Sequence, residues 1–341
     1  MKKLFLSLVL AATAITANAT VITVNNGSVT AGQYTTIQPA VDAAKAGDTI
    51  YVHGSVTTYG DVTLNKRVVL LGAGHHLTGT QYNLSSKLSY IYLSQGNSTT
   101  LPTGSIIKGF DFGNLGSSGG SLLINNITIE RNYFSYLSVY GSGWIIKNNV
   151  GSYIACTENK NLIISNNVLV NVATSSQPSV IITNNIFRSG CYINSVSYAN
   201  IANNIFIEPG QNYGITSNGS QNTWNKNIMI YADPANFKTF PPAGNTGVGN
   251  LNTIDDQFTD VIPLNVTSND VPNYNWNLLT TSLGYKYGTD GTDNGIFGGS
   301  YPMPDLTGAT NIPQMTSMDI LNSVIPQNGT LTIELKARGQ Q

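Results

Sequence analysis

The side chains able to do acid–base, nucleophilic or metal chemistry are few in this sequence, and their spacing gathers none of them. Hydrolysis of a glycosidic bond takes two carboxyl groups on one face. The acids of the central region, Glu130, Glu158 and Glu208, fall in separate segments, and so do Arg131, Lys160 and Arg188. His53, His75 and His76 all lie toward the N-terminus. A His75–His76 pair suits a metal only with a Cys or acidic partner at ligand spacing. None stands there, so the pair reads as a solvated turn. Asp290 and Asp293, in Gly288-Thr-Asp-Gly-Thr-Asp-Asn-Gly295, have the composition of a Ca2+ loop but lack its downstream Glu. They read as residues that shape a turn. On these grounds the sequence offers no catalytic residue, no metal site and no cofactor.

What would position any functional side chain is a repeat. It reads Ile127-Thr-Ile129-Glu-Arg-Asn132-Tyr-Phe134, then Trp144-Ile-Ile146-Lys-Asn-Asn149-Val150, then Leu162-Ile-Ile164-Ser-Asn-Asn167-Val-Leu169. Val180-Ile-Ile182-Thr-Asn-Asn185-Ile-Phe187, Ala199-Asn-Ile201-Ala-Asn-Asn204-Ile-Phe206 and Asn222-Thr-Trp224-Asn-Lys-Asn227-Ile-Met229 follow. A period of about 20 residues marks a solenoid whose repeats bury one another. Side chains of a strand alternate between faces. The column Ile129, Ile146, Ile164, Ile182, Ile201, Trp224 therefore points inward. So does the column two residues earlier: Ile127, Trp144, Leu162, Val180, Ala199, Asn222.

The Asn column (Asn132, Asn149, Asn167, Asn185, Asn204, Asn227) reads as a structural ladder rather than a sugar-gripping stripe. Asn tolerates the left-handed backbone of a tight corner, and its amide can bond to the Asn above and below. Beside it, Glu130 and Lys147 share an outward column and are expected to pair, at a gain of about 0–1 kcal/mol. A second outward column holds Ile145, Ile163 and Ile181. An exposed apolar stripe marks a contact, either with the 232–300 segment or C-terminal hairpin folded back, or with a partner. Tyr133, Phe134, Tyr136, Tyr140 and Tyr153 cluster on neighbouring repeats. With some of them facing the core, Tyr133, Tyr136, Tyr140 and Tyr153 form the candidate glycan-binding set.

Ahead of the repeats, Val21-Ile-Thr-Val24 reads as a strand. Ile37, Ala40, Val41 and Ala44 then fall on one face of a helix, with Thr36 as N-cap, Pro39 in the first turn and Gly47 beyond the end. Strands are expected at 48–52 and 62–72. The stretch Thr35–Gly74, TTIQPAVDAAKAGDTIYVHGSVTTYGDVTLNKRVVLLGAG, resembles the N-terminal cap and first rungs of secreted right-handed parallel β-helix proteins, the pectin-lyase-like group. The resemblance implies a helix plugging the open end of the solenoid. It extends to closing segments at Asp255-Asp-Gln-Phe258, Tyr274-Asn-Trp276 and Asp293-Asn-Gly295, with Leu283 where the group has Pro. Lyases of that group use a basic proton acceptor with Ca2+-binding acids or a cation at the substrate carboxylate. No position here matches those motifs.

The expected fold is all-β: a single right-handed parallel β-helix with an N-terminal capping helix and a C-terminal hairpin. Its divisions are a signal peptide at 1–19, a β-helix over 20–300, and a strand pair within 301–341. The β-helix divides into a cap (20–50), regular rungs (122–231) and irregular closing rungs (232–300). The hairpin signal is Asn328-Gly329 between β-rich runs. Residues 1–19 have a basic start, an apolar run and Ala17-Asn-Ala19 as a cleavage site, too short in the run to span a bilayer. The chain is accordingly expected in the extracellular space, the periplasm or on the cell surface, with no transmembrane segment.

Charged residues make up 10% of the chain, far below the quarter usual for soluble domains. The 16 basic residues, two of them in the leader, face 17 acidic ones, which argues against nucleic acid as a partner. Cys156 and Cys191 fall two repeats apart, so at roughly 4.8 Å per rung their Cα atoms stand about 9–10 Å apart. A bridge spans less than about 7 Å, and two free buried thiols are expected. The functional expectation is an exported non-catalytic protein that binds a polysaccharide or joins a cell-surface assembly with other proteins. The alternative is a polysaccharide lyase or glycoside hydrolase working through loops at 80–120 or 232–260.

Overall fold

The computed structural model describes residues 19–27, 32–77, 84–95, 100–117, 123–157, 160–174, 179–209, 216–217, 219–254, 257–260, 262–263, 266–310, 314–321 and 329–338. Residues 1–18 of the expected signal peptide, Glu158, Asp255 and Asn328 of the expected hairpin lie outside the described residues. Two parallel sheets, one ten-stranded and one eleven-stranded, wind together into a β-solenoid. The ten-stranded sheet, here the first sheet, runs from Val21–Val24 to Thr223–Asn225; the second runs from Val62–Leu64 to Leu251–Thr253. Among the described residues no helix is long and apolar enough to cross a membrane.

Each central rung has a short strand in the first sheet, a corner, and a strand of seven to nine residues in the second. Both inward columns read from the repeat are buried, from Ile127 and Trp144 through Ile201 and Trp224. Aromatics also stack inside: Phe112 on Phe134 at 5.8 Å, and Phe187 on Phe206 at 4.7 Å. Burying a large side chain in every rung contributes about 1.5–3 kcal/mol each before entropy. The 62–72 stretch proves to be two strands, Val62–Leu64 and Val69–Gly72, one in each sheet.

The ladder Asn residues are fully buried. The Nδ2 of Asn149 donates to Oδ1 of Asn167 at 2.9 Å and to the carbonyls of Ile129 and Lys147 at 2.9 and 2.8 Å. Its backbone N–H also donates to Asn167 Oδ1, at 2.9 Å. The pattern continues past Asn227 to Asn250, and Asn222 starts a second ladder with Asn245. One expectation is corrected. The left-handed residue of each corner is not the ladder Asn but the residue before it: Arg131, Asn148, Asn166, Asn184, Asn203 and Lys226, with φ between 51° and 60°. The ladder Asn is not among the left-handed residues, and its own carbonyl accepts from the next rung (Val168 N to Asn149 O, 2.9 Å).

The capping helix α1 (Ile37–Ala43) buries Ile37, Ala40 and Val41 over the first rung. Thr36 makes no side-chain cap bond. Two polar side chains finish the job instead. Gln38 exchanges bonds with the backbone of Thr63, its Oε1 accepting at 2.8 Å and its Nε2 donating at 3.2 Å, which covers the edge of the second sheet. The ammonium of Lys66 donates to the carbonyls of Val41, Asp42 and Ala44 at 3.0–3.1 Å, where the helix dipole favours a cation. At the other end Phe240 lies against Trp224 and Phe237 against Tyr231.

Beyond Leu251–Thr253 the chain turns back. Phe258, Ile262, Val266, Val271, Trp276, Ile296 and Met303 form a second apolar cluster with Val150, Val168, Ile186, Ile205 and Ile228, an outward column of the second sheet. Among the described residues the closing segment packs on this column, and Ile145, Ile163 and Ile181 are not members of the cluster. The last strands, Gln314–Ile320 and Ile333–Arg338, pair antiparallel with each other. Cys156 and Cys191 are free and buried. They occupy different columns, since Cys156 aligns with Val139 and Thr174 while Cys191 precedes Tyr192, which aligns with Asn171.

Candidate functional site

The second sheet carries an outward column that the closing segment leaves open. In register on successive rungs stand Tyr90, Asn114, Tyr136, Tyr153, Asn171 and Tyr192. A break in the inside–outside alternation makes this possible. In Tyr133–Tyr140 the inward residues are Phe134 and Leu137, so Ser135 and Tyr136 both face out, and the alternation changes phase between Tyr133 and Tyr136. Two residues on runs a column of small side chains, Gly116, Ser138, Ala155 and Ala173, with Tyr92 at one end and Asn194 at the other. Tyr140, in register with Thr157, stands on its far side, half-buried. The 3-10 turn Ser268–Asn273 packs against Val150–Thr157 and borders the tyrosine side.

The rings are organised. Tyr136 and Tyr153 stack at 5.3 Å and 4°, Tyr90 and Tyr92 at 4.1 Å, and Tyr192 meets Tyr153 edge-on at 6.4 Å. Because the faces of Tyr136 and Tyr153 are turned to each other, an incoming ligand meets ring edges and hydroxyls, which both donate and accept. Burial, helped by the neighbouring Tyr192, pushes the Tyr153 phenol up to about 12. Burial also raises Tyr90, with Tyr92 and Tyr136 adding to it. Neither column contains a carboxylate or a cation. The face is a neutral trough, with a ridge of phenols and amides beside a floor of Gly, Ser and Ala.

Of the tyrosines singled out by sequence, Tyr136 and Tyr153 come together in this trough and Tyr140 flanks it. Tyr133 does not join them. It points to the closing segment, its hydroxyl donating to Asn269 Oδ1 at 2.9 Å and its ring lying 6.1 Å from that of His75. Ile145, Ile163 and Ile181 do align on the outward face of the first sheet. Ile163 and Ile181 edge a shallow depression with Tyr198 and Asn200. Tyr90, Asn114, Asn171 and Tyr192 escaped sequence reasoning because their rungs sit off the repeat's period or beyond the break in alternation.

The ionisable groups singled out by sequence are placed as follows. Glu130 is held by Lys108 at 3.0 Å and Lys147 at 3.6 Å on the first sheet, and Lys147 also lies 4.7 Å over the Tyr301 ring. Arg131 pairs with Asp305. Arg188 is buried and donates to the carbonyls of Val266 and Gly151. Glu208 accepts from the backbone of Ala232. His75 is not solvated: Gly308 lies against its ring, and burial, with the His76 charge, holds it down to about 3. Asp290 accepts from the backbone and hydroxyl of Thr292, and Asp293 from Lys286 N–H, so both shape turns. Among the described residues no group of three His, Cys, Asp or Glu is placed to hold a metal.

One acid stands apart. Asp111 lies between Lys87 and Tyr133 in register, in the column that the closing segment packs on. Burial raises its carboxyl, against the opposing charges of Lys87 and His76. No family model and no curated protein matches this sequence.

Proposed function

We propose that this chain is an exported, non-catalytic β-solenoid that binds an uncharged glycan along the trough of its second sheet. The observation that carries the reading is the six-rung column Tyr90–Asn114–Tyr136–Tyr153–Asn171–Tyr192, ridged with phenols and amides and free of charge. Phenols and amides supply hydrogen bonds to sugar hydroxyls, and tyrosine adds an apolar body for sugar C–H groups. The small-residue floor lets a chain lie close to the backbone along the solenoid axis. A uronate polymer finds no cation there. Export rests on the leader-like sequence of residues 1–19, and the likeness of the cap to pectin-lyase-like proteins is consistent with a polysaccharide ligand.

Affinity electrophoresis against neutral glucans, xylans and mannans, with polygalacturonate alongside, tests the proposal. Retardation is expected in a neutral polymer and lost in Tyr136→Ala and Tyr153→Ala, while Tyr198→Ala on the first sheet behaves as wild type. Retardation that survives both trough variants would overturn it.

A second reading, a polysaccharide lyase or hydrolase, is favoured by Asp111. Its raised carboxyl beside Lys87 and His76 is the kind of perturbation seen at acid–base sites. Release of unsaturated products or new reducing ends, abolished by Asp111→Asn, would establish that activity and displace the first reading.

A further inference from the structure

The chain from Gly284 to Thr310 runs back along the solenoid, against the direction in which the rungs were laid down, and each corner from Lys226 to Arg131 holds it. Lys226 Nζ donates to the carbonyl of Gly288 at 3.3 Å. Asn203 exchanges two bonds with Thr289, at 2.9 and 3.1 Å. Asn184 donates to the carbonyl of Asp293 at 3.3 Å, and Asn166 to those of Ile296 and Gly298 at 2.8 and 2.7 Å. Asn148 donates to the carbonyl of Tyr301 at 2.8 Å, and Arg131 pairs with Asp305. The strap then reaches the early rungs, where Thr310 donates through its hydroxyl to Gly72 O at 2.6 Å.

These grips share one backbone cause. Each corner residue sits in the left-handed region, which throws its side chain outward while the following Asn turns in to the ladder. The strap is also buried on its solenoid side: Ile296 is 1% exposed and Met303 3%, both packed on the aliphatic column. In an ordinary solenoid each repeat touches only its neighbours, so stability is a sum of repeat and nearest-neighbour terms and the ends fray independently. A single segment bonded from the Lys226 rung to the Gly72 rung links rungs that never touch.

We infer that the strap is a clasp, gripped by the left-handed corner residues, that turns the stack of rungs into one cooperative unit. It follows the rungs in the chain, so it seats only on corners already in register. The inference is independent of what the trough binds.

Amide hydrogen exchange on the full chain tests it, with Asn166→Gly, Asn184→Gly and Asn203→Gly as variants. Glycine keeps the left-handed corner without steric cost and removes the grip, which at Asn166 takes with it the local bond that its Oδ1 accepts from the Ser165 hydroxyl. In a clasped stack, Asn166→Gly speeds exchange at distant Ile107 and Ile228 by about the same factor as at neighbouring Ile164. That factor is roughly tenfold for two lost hydrogen bonds. A rise confined to the rungs beside Asn166, or no rise anywhere, would overturn the inference. If Asn166→Gly does not fold, the weaker-grip variants Asn184→Gly and Asn203→Gly are read by the same comparison, and failure of all three to fold is the coupled outcome in its extreme form.

Discussion

Asn166 and Asn167 are neighbours in the chain whose amides work on opposite sides of the wall. Asn167 faces the core and donates to Asn185 Oδ1 at 3.0 Å; Asn166 faces out and donates to the carbonyls of Ile296 and Gly298. In the four rungs that carry it, at 148–149, 166–167, 184–185 and 203–204, the Asn-Asn dipeptide therefore joins the inner ladder to the outer strap across one corner.

The two positions should differ in cost. Asn167→Ala strands the buried Asn149 N–H and removes the amide's bonds to Asn149 Nδ2, Asn185 Oδ1 and the carbonyls of Ile146 and Ser165. At about 1–3 kcal/mol for the stranded N–H and about 0.5–1.5 kcal/mol for each lost bond, a loss of roughly 3 kcal/mol or more is expected in urea unfolding. Asn166→Gly should cost about 1–3 kcal/mol, the net value of two hydrogen bonds. The reverse ranking would contradict the division of labour.

Acid should loosen the strap end first. Burial holds His75 down to about 3 from an ordinary 6.5, so between those values the unfolded chain binds the extra proton. Stability from this group is present above about pH 6.5 and is lost as the pH falls toward about 3, at up to about 1.4 kcal/mol per pH unit. Asp305 adds a loss at lower pH. Burial alone would raise its carboxyl, but bonds from Thr307 and the charge of Arg131 outweigh burial and hold it down. Its contribution is present above about pH 4 and fades as the pH falls through the lowered folded value. Urea midpoints should decline on acidification from neutral, and His75→Gln should flatten the decline between about pH 6 and about pH 4.

Glycan affinity should tolerate alkali. With the Tyr153 phenol pushed up to about 12, its hydroxyl stays a donor beyond the point where an ordinary tyrosine ionises, about pH 10. Calorimetric titration with a retained neutral oligosaccharide is expected to give the same affinity from about pH 7 to about pH 10. Tyr153→Phe should weaken it by about 1 kcal/mol. An affinity that falls steeply below about pH 10 would remove Tyr153 from the contact.

The thiols should be inert until the solenoid opens. Burial raises both Cys156 and Cys191 well above the ordinary thiol range, and the thiolate is the reactive form. Alkylation of the native, unreduced protein should leave both unmodified, and after unfolding both should react. A cross-linked species that resists alkylation when unfolded would contradict the free-thiol structure.

The repeat made the inward columns, the ladder and the cap helix legible, because each is a local pattern renewed on every rung. Ile129, Ile146 and Ile164 land where alternation puts them. The trough was only half legible. Tyr136 and Tyr153 share a repeat offset, but Tyr90 and Asn114 lie in rungs whose lengths break the period, and the two successive outward residues Ser135 and Tyr136 break the alternation. The strap left no periodic trace. Its partners are backbone carbonyls, which any residue supplies, so Ile296 and Tyr301 carry no mark of meeting Asn166 and Asn148. The outward reach of the first Asn in each pair was hidden by the same fact, since sequence shows the amide and not the carbonyl it grips.

A repeat protein ordinarily evolves in length by duplicating or deleting a turn. Here the segment from Asp293 to Asp305 meets Asn184, Asn166, Asn148 and Arg131 in succession. An inserted turn would leave every later meeting one step out. The number of turns is therefore counted by the tail, and relatives of different size should change both together or neither.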